Sequence, residues 1–470
     1  MKYKDLPEWS RKAADWGENY FATIRRRPVR SSAKPGDFLS KLPAAAPEKP
    51  DDMQTIFRDF ERMVPDGMTH WQHPRFFAYF SANAAPASIL AEQLSNYIAA
   101  NCMLWQTSPA ATELETRMVD WFRDSLGLPG HFRGVIHDSA TVANLCAVLT
   151  MRERSLNWDG VANGISGQRQ PRIYATSENH SSIDKAARIA GIGSANLVNV
   201  STDDGRSMRP ESLRHAIEAD LAAGLIPAGV VLCVGGTSTG AVDDIAPVAA
   251  VAKNFGLDIH VDAAWAGAAM ICDEFRRHWE GIENVDSIVI NPHKWIGAQF
   301  DCSVQFLANP DSQIRTVGLR PDYLNTSSVG QITNYNEWTI PLGRRFRALK
   351  LWFVFRAYGV EGLRELIRNH VSWVRELQSR FDSDPEFEVL TTCPFGLFTF
   401  RLSGSDEFAD EKTRQLLEKV NNGGQIYLTQ TTIGGKFAIR MTAGQFECTE
   451  ADVEAVYPIV KEAGENLRAQ

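Results

Sequence analysis

The sequence predicts an α/β fold with a mainly parallel central sheet flanked by helices. Three observations predict it. From about residue 109, short apolar runs rich in β-branched residues alternate with helical stretches. The runs are three to five residues long, too short for buried helices. Polar or small residues suited to chemistry stand just after several of them, where open parallel sheets collect ligands.

The elements follow in order. Residues 5 to 27 carry Leu6, Trp9, Ala13, Trp16, Tyr20, Phe21 and Ile24 at near-helical spacing. A Pro/Ala-rich linker, Ala33 to Asp51, leads to a second amphipathic segment from Met53 to Met63. These helices show more Trp and Phe than a free arm tolerates, so they pack on another lobe or a second subunit. Trp71 to Phe80 is dense in aromatics, as core packing or as a wall for a flat apolar ligand. A helix begins near Pro86.

The predicted strands are Gly134–Ile136, Arg172–Ala175, Val230–Val234, Leu257–Val261 and Ser287–Ile290. Helices Val142–Glu153, Ile183–Ile189, Pro210–Ala223 and Val248–Phe255 separate them. A long helical stretch from Ile340 leads to a small α+β C-terminal domain. Its strands are expected near Phe395–Leu402, Gln425–Leu428 and Lys436–Met441, with a closing helix from Glu450. The expected division is 1–85, a helical segment; 86–350, a large domain; and 351–470, a small one.

Composition excludes some functions. A net charge of −8 over 470 residues gives no general footprint for nucleic acid or an anionic membrane. The seven cysteines are scattered, odd in number and without a CxxC pair. That fits a reducing cytoplasm and argues against a disulfide framework or a metal site. The N-terminus lacks the apolar core of a signal peptide, and no apolar run is long enough to span a bilayer. A cytoplasmic protein is expected.

Lys294 is the residue the rest serves. Ile288, Val289 and Ile290 read as a buried strand that Asn291-Pro292 breaks, which delivers His293, Lys294 and Trp295 just beyond its end. An ammonium there is costly unless its charge is paired or consumed. Condensation with an aldehyde cofactor would consume it. Upstream, Asp262 ends an apolar strand and needs a cationic partner, either a structural base or a protonated pyridine nitrogen. Ser139-Ala140-Thr141 opens a helix, as an ordinary cap or as a phosphate cradle. His180 lies on a loop before a helix, solvated or stacked on a planar ring. Thr237 sits among glycines at another strand end, which suits close approach to a ligand.

Longer motifs carry a resemblance. Asn291-Pro-His-Lys-Trp295, Thr107-Ser-Pro-Ala-Ala-Thr-Glu-Leu-Glu115, His260-Val-Asp-Ala-Ala264 and Ile340-Pro-Leu-Gly-Arg-Arg-Phe-Arg347 resemble those of the pyridoxal-phosphate group II decarboxylases. The aromatic L-amino acid decarboxylases are the nearest match, over almost the whole chain. The resemblance implies the fold type I architecture of PLP-dependent transferases and a homodimer with active sites at the interface. It implies pyridoxal 5'-phosphate held by Ser139, Ala140, Thr141, His180, Thr237, Asp262, Ala264, Asn291, His293 and Lys294. Lys294 would be the Schiff-base lysine, Asp262 the partner of the pyridinium and His180 the ring stacked on it. Tyr323 matches the family's loop tyrosine, and Thr326 to Asn334 looks like a closing lid. The implied reaction is decarboxylation of an aromatic L-amino acid to its amine, through an external aldimine. Trp71, Tyr79, Phe80, Asn101, Met103 and Gly343 would line the substrate. Asn101 and Met103 replace the Ile and Phe of animal members, and Val142 replaces the usual Glu after the phosphate turn. Oxidative relatives that yield aromatic acetaldehydes are the alternative. They carry Phe for the loop tyrosine or Asn for the stacking histidine, and this chain has Tyr and His.

Overall fold

The computed structural model describes residues 1–319, 332–392 and 394–468. They form two compact units. One comprises Ala82–Ser372 with Thr391–Phe398, and the other Met1–Ser81, Trp373–Leu390 and Thr399–Gln470.

The larger unit is built on a seven-stranded sheet. In chain order the strands are β1 (Arg133–His137), β2 (Pro171–Ala175), β3 (Leu197–Asn199), β4 (Ile226–Cys233), β5 (Asp258–Asp262), β6 (Ser287–Ile290) and β7 (Ser303–Leu307). Their spatial order is β1-β7-β6-β5-β4-β2-β3. The run from β6 to β3 is parallel, and β7 is antiparallel to both its neighbours. The carboxyl ends of β1, β2, β4, β5 and β6 therefore share one edge with the amino end of β7. Helix Ala140–Ser155 follows β1 and packs across β4 to β7.

The predicted strands β1, β2, β4, β5 and β6 all form, and the fold is the expected one. Three strands escaped the sequence reading: β3, β7 and β8 (Phe387–Thr392). In β7, Ser303 and Gln305 are fully buried beside Val304 and Phe306, so no alternation marks a solvent face. Their polar groups bond internally, Ser303 to Asn291 and Gln305 to His137 and Gln313. The helical stretch expected from Ile340 begins only at Arg347, because Pro341 and Gly343 sit in the irregular segment before it.

The second unit holds most of a four-stranded sheet made by β8, β9 (Leu397–Leu402), β10 (Thr429–Ile433) and β11 (Lys436–Thr442), in the order β10-β11-β9-β8. The strand expected at Gln425–Leu428 lies instead at Thr429–Ile433. The hairpin turn decides this: Gly434 and Gly435 both have positive φ, 57° and 83°, and Ile433 pairs with Lys436. A two-residue turn of that kind requires such residues and fixes the register. Tyr427 serves the aromatic segment: its carbonyl accepts the Phe77 N–H at 3.0 Å, and it packs on the buried cluster of Val29, Phe76 and Ala78. The early helices form at Leu6–Thr23 and Met53–Gly67. Among the described residues no helix is long and apolar enough to cross a membrane.

Candidate active site

The shared sheet edge gathers the predicted cofactor residues. Asp262 is the last residue of β5 and is buried. Alternation along β5 turns Ile259 and Val261 to one face and Asp258, His260 and Asp262 to the other, under helix Ala140–Ser155. Asn144 on that helix donates from Nδ2 to Asp262 Oδ2 at 2.8 Å and to Ser182 Oγ at 2.9 Å. Its Oδ1 meets His260 Nε2 at 2.8 Å, and His260 Nδ1 meets Ser287 Oγ at 2.7 Å. Burial pushes the His260 imidazole down to about 4, against the opposing pull of Asp262, so the ring is neutral. Ser182 in turn lies 2.8 Å from His180 Nδ1. Burial, with a smaller contribution from Lys294, lowers the His180 pKa, while Asp262 raises it.

Lys294 follows β6 in a turn held from both sides. Its N–H donates to the Asn291 carbonyl at 3.0 Å, and its own carbonyl accepts from Asn83 Nδ2 at 2.6 Å. Trp295 is fully buried, stacked on Trp265 at 5.2 Å and donating from Nε1 to His370 Nδ1 at 3.0 Å. The lysine is thus anchored by the backbone before it and the indole after it.

The phosphate side can be tested by what each group has left to offer. The Ser303 hydroxyl donates to Asn291 Oδ1 at 2.6 Å, which leaves Asn291 an amide NH2. The Cys302 N–H donates to His293 Nδ1 at 2.9 Å. Burial, aided by the Lys294 charge, pushes His293 down to about 3, so its proton sits on Nε2. Both side chains therefore present donors. The Ser139 hydroxyl donates to Asp138 Oδ1 at 3.0 Å and lies 3.4 Å from the Val142 N–H, so what this turn offers is the helix N-terminus at Ala140 and Thr141. Donors plus a positive helix end suit a phosphate; a carboxylate suits a pyridinium; an anchored amine suits an aldehyde. Pyridoxal phosphate fits this donor set.

Thr237 and Ala264 are half-buried at the same edge. Gly235, with φ of 87°, turns the chain so tightly that a Cβ would come within 2.4 Å of Ala266 Cβ. The Asn291 N–H donates to the Ala264 carbonyl at 2.9 Å, tying the β5 and β6 ends together.

The chain resembles known proteins over its whole length. Residues 35–403 match the pyridoxal-dependent decarboxylase conserved domain. The chain belongs to the pyridoxal-dependent decarboxylase family. Tyrosine decarboxylase 2 of Arabidopsis thaliana is 39% identical, covering 95% of this chain and 84% of that protein. Phenylacetaldehyde synthase of the same plant is 36% identical over 99% of this chain and 97% of its own length. The crystal structure of Catharanthus roseus tryptophan decarboxylase in complex with L-tryptophan superposes with a TM-score of 0.93 at 32% identity, over 99% of both chains. The decarboxylase uses pyridoxal phosphate.

The remaining predicted residues fall into separate groups. Asn101, Met103 and Gly343 come together in the larger unit: Asn101 Nδ2 lies 3.7 Å from Met103 Sδ, and a Cβ on Gly343 would stand 3.9 Å from the Asn101 amide. Gly343 also lines a cavity of about 120 Å³ with His137, Asp138, Val142 and Arg344. In the other unit Trp71 stacks on Phe76 at 4.5 Å and on Tyr79 at 6.0 Å, and Phe80 lies under the Arg440 guanidinium at 4.4 Å. Tyr323 and residues 326–331 of the expected lid lie outside the described residues.

Sequence reading missed Asn144, Ser182 and His260 as site residues. The signal was present for two of them. Asp-Ile-His-Val-Asp alternates polar and apolar inside a strand with apolar neighbours, and Asn144 is a lone amide in the apolar stretch Val142–Val148.

Proposed function

We propose that this decarboxylase converts an aromatic L-amino acid to the arylalkylamine and CO2. What supports the reading is the anchored Lys294 beside Asp262 and His180 at one sheet edge, together with relatives named for tyrosine and tryptophan decarboxylation. Bound pyridoxal phosphate supplies an electron sink for the pair left when the carboxylate departs. Lys294 would hold the cofactor aldehyde through its amine. Asp262 would keep a proton on the ring nitrogen. His180 would stack on the ring and offer Nε2–H to the substrate side. Asn291, His293 and the turn at Ser139–Thr141 would hold the phosphate, while Thr237 and Ala264 would line the cofactor. Tyr323, or a group it positions, would give a proton to Cα.

The residues assigned to the substrate are Trp71, Tyr79 and Phe80 of one unit and Asn101, Met103 and Gly343 of the other. Residues 1–85 act as a dimer-clasping segment, 86–350 as the cofactor domain and 351–470 as the small domain of a cytoplasmic homodimer. Helix Pro86–Ile98 supports the dimer: Leu90, Leu94, Tyr97 and Ile98, all on one face, are 41–60% exposed. Light scattering of the purified enzyme would read twice the 52.3 kDa chain mass.

The oxidative reading, to an aromatic acetaldehyde, draws on the similarity to phenylacetaldehyde synthase. His180 and Tyr323 favour the amine. The test follows amine, aldehyde, peroxide and CO2 separately across a panel of aromatic amino acids. Equal amine and CO2 supports the proposal; aldehyde with oxygen uptake overturns it.

A further inference from the structure

The donor directions in the network around Asn144 are forced. Asp262, as a carboxylate, only accepts, so the Asn144 group 2.8 Å away is its NH2. The Asn144 oxygen then faces His260 Nε2, which must carry the proton, and His260 Nδ1 accepts from the Ser287 hydroxyl. Ser182 Oγ accepts the second Asn144 hydrogen at 2.9 Å, so its own proton points to His180 Nδ1. The Ser182 backbone N–H lies 3.2 Å from the same nitrogen. Two donors converge on His180 Nδ1, which leaves the ring neutral with its proton on Nε2.

We propose that Asn144 is a positioning residue: one side-chain amide holds the Asp262 carboxylate and, through Ser182, sets the tautomer and orientation of His180. His260 and Ser287 prevent the Asn144 amide from flipping. The inference rests on the roles proposed above for His180 and Asp262. It adds that the two are set jointly, by one side chain whose amide is taken up by Asp262, Ser182 and His260. A hydrogen bond to the neutral ring opposes protonation, which agrees in sign with the lowered His180 pKa. The charged groups facing His180 are Asp262, Lys294 and Lys185.

The test uses the cofactor-free protein labelled with 15N-histidine, with His180→Gln to assign the signal. Wild-type His180 is expected wholly as Nε2–H. In Asn144→Leu the Ser182 hydroxyl is released to accept instead, and only the longer bond from the Ser182 N–H still favours the Nε2–H form. Nδ1–H then appears, and the His180 titration midpoint rises by about one pH unit. Cofactor affinity falls about tenfold, as when outer-shell partners of bound groups are removed. Asn144→Asp places a carboxyl against Asp262, where the pair shares one proton. It recovers cofactor affinity without recovering the His180 titration. Ser182→Ala does the reverse: it raises the midpoint and leaves cofactor affinity unchanged. A His180 midpoint and tautomer unchanged in both Asn144→Leu and Ser182→Ala overturn the proposal. If the titrations move as expected while no variant or wild type releases amine, the coupling stands and the substrate reading fails.

Discussion

Lys294 is held from both sides by bonds that do not involve its amine, so truncating it leaves the turn intact. Lys294→Ala should therefore fold, bind pyridoxal phosphate without covalent attachment and release no amine. Borohydride reduction followed by peptide mass spectrometry checks this, the wild type carrying the label on Lys294. Gly343 makes a second test clean. A Cβ there meets only the Asn101 amide at ordinary contact distance, so Gly343→Ser should change stability by no more than about 0.5 kcal/mol. Its added bulk narrows the space beside the Asn101 amide, so kcat/KM should drop more for the wider indolic substrates than for phenolic ones. Tyr323→Phe should divert product from amine to aldehyde, and an unchanged amine yield removes the role given to Tyr323. At this scale Lys294, Asp262 and His180 were legible because an ionisable or aromatic group after an apolar strand is chemically odd. Asn144 was marked only as a lone amide in an apolar stretch, and Ser182 was not marked at all, since a hydroxyl gains meaning only from the partners it meets.

Two of the motifs that carried the resemblance prove to be one structural device. Glu115, in the helix Pro109–Ser125, and Arg344, in the segment before Arg347, are both buried and pair at 2.5 Å. Arg344 also donates to the Ile136 carbonyl at 2.8 Å, and Glu115 accepts the Ile136 N–H at 2.9 Å, so the pair grips the middle of β1. Removing one partner strands a buried charge. Arg344→Met should lower unfolding stability by about 3–5 kcal/mol, measured by denaturant titration, and more than Glu115→Gln, which keeps the shape and an acceptor. The sequence showed each motif but not their meeting, because 229 residues separate the partners. The β10 hairpin is the opposite case: Gly434-Gly435 was a local signal that outweighs the apolar run placed too early at Gln425–Leu428.

For the molecule as a whole, the edge of the sheet opposite the site carries a pH dependence. Asp258 starts β5, is buried and pairs with Arg154, while Asp286 lies close by with Lys253. Burial, reinforced by the Asp286 charge and only partly offset by Arg154, pushes its pKa up to about 7. A raised folded value means that the folded state binds the proton more tightly than the unfolded chain. That contribution to stability is complete below about pH 4 and lost as pH rises to 7. Asp258→Asn should therefore flatten stability against pH across this window by roughly 3 kcal/mol relative to wild type, read from denaturant midpoints at each pH. The parallel α/β order was legible because the crossovers from β1 through β5 repeat one local pattern, strand then α-helix. The antiparallel β7 was not, because a strand whose polar side chains bond to one another looks like a loop in sequence. The grouping of Asn101, Met103 and Gly343 has one more consequence. Asn101 Oδ1 accepts the Arg344 N–H at 3.0 Å, and its carbonyl accepts from Thr107 and Ser108, so this patch carries its own scaffold. That scaffold continues through Arg344 to the Ile136 carbonyl in β1, and β1 leads to the turn at Ser139–Thr141. A lineage, or a combinatorial library, that varies Met103 or Gly343 while keeping Asn101 and Arg344 leaves this link in place.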